Sequence, residues 1–196
     1  MRADVNEPSA TAIRTYTLLI LGIIVVQAVA LLAMGRVPIC TCGTVKLWHG
    51  IVHSAENSQH VFDWYTFSHV LHGFLFYLLA WAVLPNAHVM LQLVLAVACE
   101  SGWEIFENTD FVINRYRTET ISLSYYGDSI INSLSDTAAM IVGFLLASVL
   151  RVRTMAAVAA AIEGSMAWLI HDNLFLNIVM LIHPFDIIRQ WQGGLQ

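Results

Sequence analysis

Residues 100–136 read ESGWEIFENTDFVINRYRTETISLSYYGDSIINSLSD. The stretch opens inside one apolar run, LQLVLAVAC (91–99), and closes inside another, TAAMIVGFLLASVL (137–150). Between its bounding acids, Glu100 and Asp136, it carries Glu104, Glu107, Asp110, Glu119 and Asp128. Flanks of this kind read as membrane spans. Carboxylates at membrane depth are costly, so they call for partners and mark a site rather than a plain wall.

The rest of the chain agrees. It has 196 residues, 58% of them hydrophobic and only 12% charged, roughly half the charge of an ordinary soluble domain. The net charge of -5 and the lack of a basic run exclude a nucleic-acid partner. The fold expected is an all-α membrane protein: a five-span transmembrane helix bundle, one integral membrane domain, with a polar pocket in one leaflet. The spans are Ile13–Met34, Asp63–Leu84, His88–Glu107, Asp128–Leu150 and Met155–Ile182. A polar segment, residues 1–11, precedes them. Ala28-Val29-Ala30 imitates a signal-peptide cleavage site, but the apolar run continues to Met34, which makes it an uncleaved anchor. Loops 35–62 and 108–127 fall on the same side. The short Arg151/Arg153 turn places the N-terminus in the cytoplasm by the positive-inside rule, although the basic residues are nearly balanced between the two sides. Cys40 and Cys42, in CTCG, are expected as free thiols or a weak metal contact, since a bridge between residues two apart is strained.

Antiparallel spans bring the polar residues to one level. At 1.5 Å per residue, His69, Glu104 and Asn132 lie roughly 6 Å below the hydrocarbon edge, and His72, Glu100 and Asp136 roughly 10–12 Å below it. Each set shares a helix face: 100/104/107, 128/132/136 and 69/72. His171, Asp172 and Asn173 of the fifth span add a group near the same leaflet. The long first loop, with His49, His53 and His60, can fold over the opening.

Imidazoles and carboxylates projecting from facing helices are what metal sites in bundles use, and they suit zinc, iron or manganese. On that reading His69, His72, Glu100 and Asp136 are ligands. Glu104 is a general base, Asp128 a second catalytic or ligand-orienting acid, and Asn132, His53 and His60 bind substrate. The substrate would be a membrane lipid or a lipid-linked small molecule of the envelope. The plainer alternative is that the acids pair with histidines or arginines and lock the bundle, because HxxH is a weaker signal than HExxH. On that reading Glu107, Asp110 and Glu119 are boundary charges, and Gly73, Gly102, Gly143 and Gly164 serve close helix contact. Proton relay is a third possibility, though polar residues confined to one leaflet leave no continuous path.

The segments WHGIVHSAENSQHVFDWYTFSHVLHG (48–73), ACESGWEIFENTDFVINRYR (98–117) and GDSIINSLSDT (127–137) resemble an uncharacterised bacterial inner-membrane family, a domain of unknown function. The resemblance implies a multi-pass protein of the cell inner membrane and supplies no reaction. More remotely the chain is similar to the VanZ-like group linked to teicoplanin resistance. The positions that would match that pattern are Asp63 or His69, Glu100 or Glu104, then Arg117, Ser122, Asp128, Asn132 and Gly143. That likeness implies a non-enzymatic module binding a lipid headgroup, an antibiotic or a partner protein.

Overall fold

Helix formation follows the apolar runs, and polar caps set where each helix begins. A computed structural model describes residues 9–120 and 122–194; most of the polar segment ahead of the first span lies outside them. Ser9 caps α1 (Ala10–Ala33) through its side-chain oxygen, which accepts from the Ala12 amide. There follow α2 (Thr66–Val83), α3 (Val89–Glu107), α4 (Asp110–Glu119) and α5 (Ile130–Val149), then α6 (Val152–Ile170), α7 (Leu174–Ile182) and α8 (Asp186–Gly193). Four of these, α1, α2, α3 and α5, are long and apolar enough to cross a bilayer. The bent pair α6–α7 supplies the fifth candidate. The protein is thus an all-helical, multi-span membrane protein.

The α2–α5 pair is the heart of the bundle. A Cβ on Gly73 would collide with the Met140 carbonyl, and one on Gly143 with the Val70 carbonyl. These two glycines therefore bring the backbones together, as small residues do where lipid offers no hydrophobic drive between helices. Gly102 and Gly164 meet no such neighbour and do not serve that purpose. Around the crossing, Leu93, Val97, Met140 and Phe144 join α3 to α5, while Leu71, Phe74, Ala147 and Met155 join α2, α5 and α6. Gln27 ties α1 in. It is wholly buried, donates to Ser133, and accepts from Ser101 and Thr137.

Three expectations need correction. The run 155–182 is not one rod. Helix α6 has 19 residues, about 28 Å of helix, and counts as a candidate span only together with α7. His171 then takes a left-handed conformation (φ 52°), and α7 departs at 71°. The polar Asp172-Asn173 pair explains the break: Asn173 Oδ1 caps α7 at the Leu176 amide, and Glu163 accepts from the Leu174 and Phe175 amides. The second loop is not without structure either. It holds α4, capped by Thr109, with Asp110 in the first turn and Arg117 in the last, both favourable to the helix dipole. Finally, Cys40 and Cys42 form a disulfide rather than two free thiols. The chain turns tightly there, with the Gly43 amide donating to the Cys40 carbonyl and Gly43 at φ 77°, which brings the two side chains together.

Both loops and the C-terminal helices gather at one end. The first loop docks on the start of α5: the Ile130 and Ile131 amides donate to Val37 and Pro38, and Gln59 donates to the Gly127 carbonyl. At the same end α7 is held at both termini, with Tyr65 donating to Asp172 and Arg115 to the Leu181 carbonyl.

Candidate functional site

His69 sits on the buried face of α2, one turn before His72. Its Nδ1 lies 2.6 Å from Glu100 Oε1 and 3.3 Å from Glu104 Oε1, both on α3. Its Nε2 lies 3.9 Å from Asp136 Oδ2 on α5. His72 Nδ1 is 3.1 Å from the other oxygen of Glu100. Three helices thus place four titratable groups, His72, Glu100, Glu104 and Asp136, around one imidazole. His69 joins residues expected at two levels, touching Glu104 as well as Glu100 and Asp136. Two sets of donor atoms in this cluster lie within 4.8 Å of one another, His69 with His72 and Glu100, and His69 with Glu104 and Asp136; a third such set, Cys40, Cys42, Glu56 and His60, lies in the first loop, where the two cysteines are joined as a disulfide.

The hydrogen-bond balance is incomplete. Glu100 is fully enclosed and satisfied by both histidines. Glu104 is satisfied on one side only. Ser133 Oγ donates to its Oε2 at 2.7 Å, while Oε1 has no hydrogen-bond partner although buried. Asp136 Oδ1 and both side-chain ends of Asn132 are likewise buried and unpartnered. Unmatched buried acceptors on three neighbouring residues are far from the usual balance of a protein interior. A carboxylate–imidazole contact on one ring nitrogen leaves the other nitrogen as a lone-pair donor, the arrangement that second-shell acids impose on metal-binding histidines.

Beside this cluster opens a cavity of about 280 Å³. His69, His72 and Asp136 line its inner end. Its outer part is bounded by Glu107, Asp128, Tyr116 and Tyr125, and its apolar wall includes Phe76, Trp103, Ile178 and Leu181. Asp128 accepts from Asn108 Nδ2 (2.7 Å) and from Tyr125 (3.0 Å), and its own amide donates to Asn108 Oδ1. Burial pushes the Asp128 carboxyl up to about 6, against those two hydrogen bonds, which favour its ionised form. Tyr116 donates to Glu107 at 2.9 Å. Glu107 is therefore a cavity residue and not a mere boundary charge. Its i+7 relation to Glu100 carries the α3 stripe to the mouth.

The loop histidines lie elsewhere. His53 is exposed and does not line the cavity. His60 is buried inside the loop, where its Nδ1 accepts from the Lys46 amide and its Nε2 meets Glu56. The loop contributes Asn57 and Ser58 to the cavity instead, and the Ser58 amide donates to the buried Asp63. Asp172 also stands apart from the histidine cluster. It accepts from Tyr65, Gln192 and the Asn173 amide, a structural knot at the α6–α7 break. Sequence reasoning took Tyr65 and Asn108 only as marks of the hydrocarbon edge and did not single out Tyr116, Tyr125 or Gln27. Aromatic and amide residues near span ends look like ordinary interfacial anchors, and no spacing rule separates the two uses.

Fold and site together define a class: a multi-span membrane protein with a buried histidine–carboxylate cluster opening to a mostly apolar cavity. Comparison with known proteins supplies the family. The family model described as "Protein of unknown function (DUF2585)" matches residues 31–194, and the chain belongs to that family. It is 53% identical over 175 residues to a UPF0314 protein of Sinorhizobium fredii, with 89% of each chain covered. It is 48% identical over 193 residues to a UPF0314 protein of Brucella anthropi, with 98% of each covered. A UPF0314 protein of Paracoccus denitrificans is 51% identical over 173 residues, 88% of this chain and 90% of that one. None of these comparisons links the chain to the VanZ-like group, and no solved structure matches.

Proposed function

We propose that this protein is a metal-assisted membrane enzyme acting on a lipid or a lipid-linked envelope molecule, with its loop side facing the envelope and its N-terminus in the cytoplasm of a cell with this protein in its inner membrane. The observation that carries the reading is the set of unpartnered acceptors, Glu104 Oε1 and Asp136 Oδ1, gathered with His69 inside a low-dielectric bundle. A buried carboxylate oxygen left without a hydrogen-bond donor is costly unless a cation meets it. His69, His72, Glu100 and Asp136 would hold it, and the N/O donor set suits zinc, iron or manganese. Such an ion polarises a carbonyl or phosphoryl oxygen and acidifies water. Glu104, steadied by the Ser133 hydroxyl, is placed to take a proton at Oε1. The cavity leads from this cluster past an apolar wall, as an amphiphile with its reactive bond near the headgroup requires.

A second reading is a non-enzymatic module that binds a lipid headgroup or partner. The direct His69–Glu100 and His72–Glu100 contacts favour it, because they let the cluster hold itself together. Elemental analysis of protein purified in neutral detergent separates the two. The metal reading expects about one bound equivalent, lost in His69→Ala and Glu100→Ala. Trace metal that those substitutions leave unchanged would remove it. Glu104→Gln then tests the base: function in a complementation assay is lost on the enzymatic reading and kept on the binding one.

A further inference from the structure

The outer part of the cavity has its own chemistry. Glu107 and Asp128 line it together with Tyr65, Tyr116 and Tyr125. Among the described residues no lysine or arginine lines it. The nearby basic side chains are engaged elsewhere: Arg36 donates to the Tyr126 carbonyl, and Arg115 to the carbonyls of Leu181 and Ile182. A cation held by the deeper layer would be matched by Glu100, Glu104 and Asp136. The two outer carboxylates would remain without a counter-charge. Asp136 lines the same cavity, and its Oδ1 is buried with no hydrogen-bond partner in the protein, an independent sign that this cavity receives a positively charged or hydrogen-bonding group from outside the chain.

We propose that the cavity takes an amphiphile whose headgroup carries a positively charged amine or quaternary ammonium, seated among Glu107, Asp128 and the three tyrosines, with its chain between Phe76, Trp103 and the Ile178–Leu181 face of α7. This deepens the reading given under Proposed function by naming the class of substrate. An ammonium beside electron-rich aromatic rings and desolvated carboxylates gains both cation–π and Coulombic attraction. An anionic headgroup would meet two like charges on its way in. On the apolar side, α7 lies against α4 at the loop end and presents Ile178 and Leu181 to the cavity. A chain there would leave toward the lipid rather than toward water.

Three probes of equal chain length separate the sources of the charge: dodecyltrimethylammonium (cation alone), dodecylphosphocholine (cation with phosphate) and dodecyl phosphate (anion alone). Retention on the full-length protein in maltoside detergent is read by native mass spectrometry. The first two are retained and the third is not. Glu107→Gln and Asp128→Asn each reduce retention of the cations by about tenfold, the size of one lost charge contact in a desolvated site. Wild-type protein that retains the anion as well as the cations overturns the proposal without needing any variant. So do variants that fold, bind metal normally and keep the wild-type preference. Metal content is read on the same samples. Cation preference in a protein that binds no metal sinks the catalytic reading and sustains this one; bound metal without cation preference does the reverse.

Discussion

Each ring nitrogen of His69 has a different neighbour, and that division sets what the residue can do. Nδ1 is taken up by Glu100, while Nε2 looks toward Asp136. Glu100 thereby orients two imidazoles at once, since His72 rests on its second oxygen. On the metal reading Glu100 is a ligand that also steadies both imidazoles, so Glu100→Gln is expected to weaken metal affinity by at least about 10–100-fold; isothermal titration with zinc measures it, and unaltered affinity would take Glu100 out of the ligand set. The loop offers a separate pH prediction. Hydrogen bonds from Lys46 and His60 hold the Glu56 carboxyl down at about 2, from an ordinary 4.5. A depressed carboxyl binds protons less readily folded than unfolded, so its contribution is present above about pH 4.5 and fades as pH falls toward 2. Limited proteolysis of the loop at pH 3 and pH 6 should show faster cutting at the lower pH. Glu56→Gln should flatten that difference. The stripes of Glu100, Glu104 and Glu107 and of Asp128, Asn132 and Asp136 were legible in the sequence, because period and hydropathy both mark them. The uses of Asn108 and Tyr125 were not, because their roles come from contacts between distant segments, as when Asn108 reaches Asp128 across α4.

Helices α2 and α5 cross where two glycines remove every side chain from the contact, and the histidines and Asp136 are positioned by that crossing. Gly143→Leu should force the pair apart and cost about 1–3 kcal/mol or more. Thermal unfolding in detergent measures the loss, and Gly102→Leu, which meets no neighbour, should leave stability nearly unchanged. The α6–α7 break makes a prediction of its own. Glu163 holds the first amides of α7, so Glu163→Ala should loosen that helix by about 1 kcal/mol. Hydrogen exchange should then quicken in residues 174–182, while α6 stays protected. Equal exchange in mutant and wild type would show that α7 is held by Arg115 and Tyr65 instead. Hydropathy alone read 155–182 as one span because two polar residues barely lower the average of a long apolar window. The break is decided by capping, which the average does not see.

At the level of the whole molecule, the loops, α4, α7 and α8 collect at the end of the bundle where the cavity opens. The C-terminal helix is fastened there through Gln192 to Asp172 and Arg189 to Glu119. Thiol labelling should therefore find a cysteine introduced at Gly194 on the same side of the membrane as one at Lys46, and opposite to one at Arg151. On the metal reading a chelator should lower the unfolding midpoint, since a ligand held at 100 times its Kd stabilises the folded state by about 2.7 kcal/mol; an unchanged midpoint would count against that reading. The all-helical, multi-span class and the gathering of His69, His72, Glu100, Glu104 and Asp136 could be read from the sequence, because apolar run length and helical period mark them. The apolar wall built by α7 could not, since it requires a helix to turn back after crossing. X-ray absorption spectroscopy of the zinc-loaded protein gives the most direct test. A centre ringed only by nitrogen and oxygen, with imidazole scattering that weakens in His72→Gln, is the expected result. Sulfur in the coordination sphere, or a signal untouched by that substitution, would put the metal outside the His69 cluster and contradict the assignment.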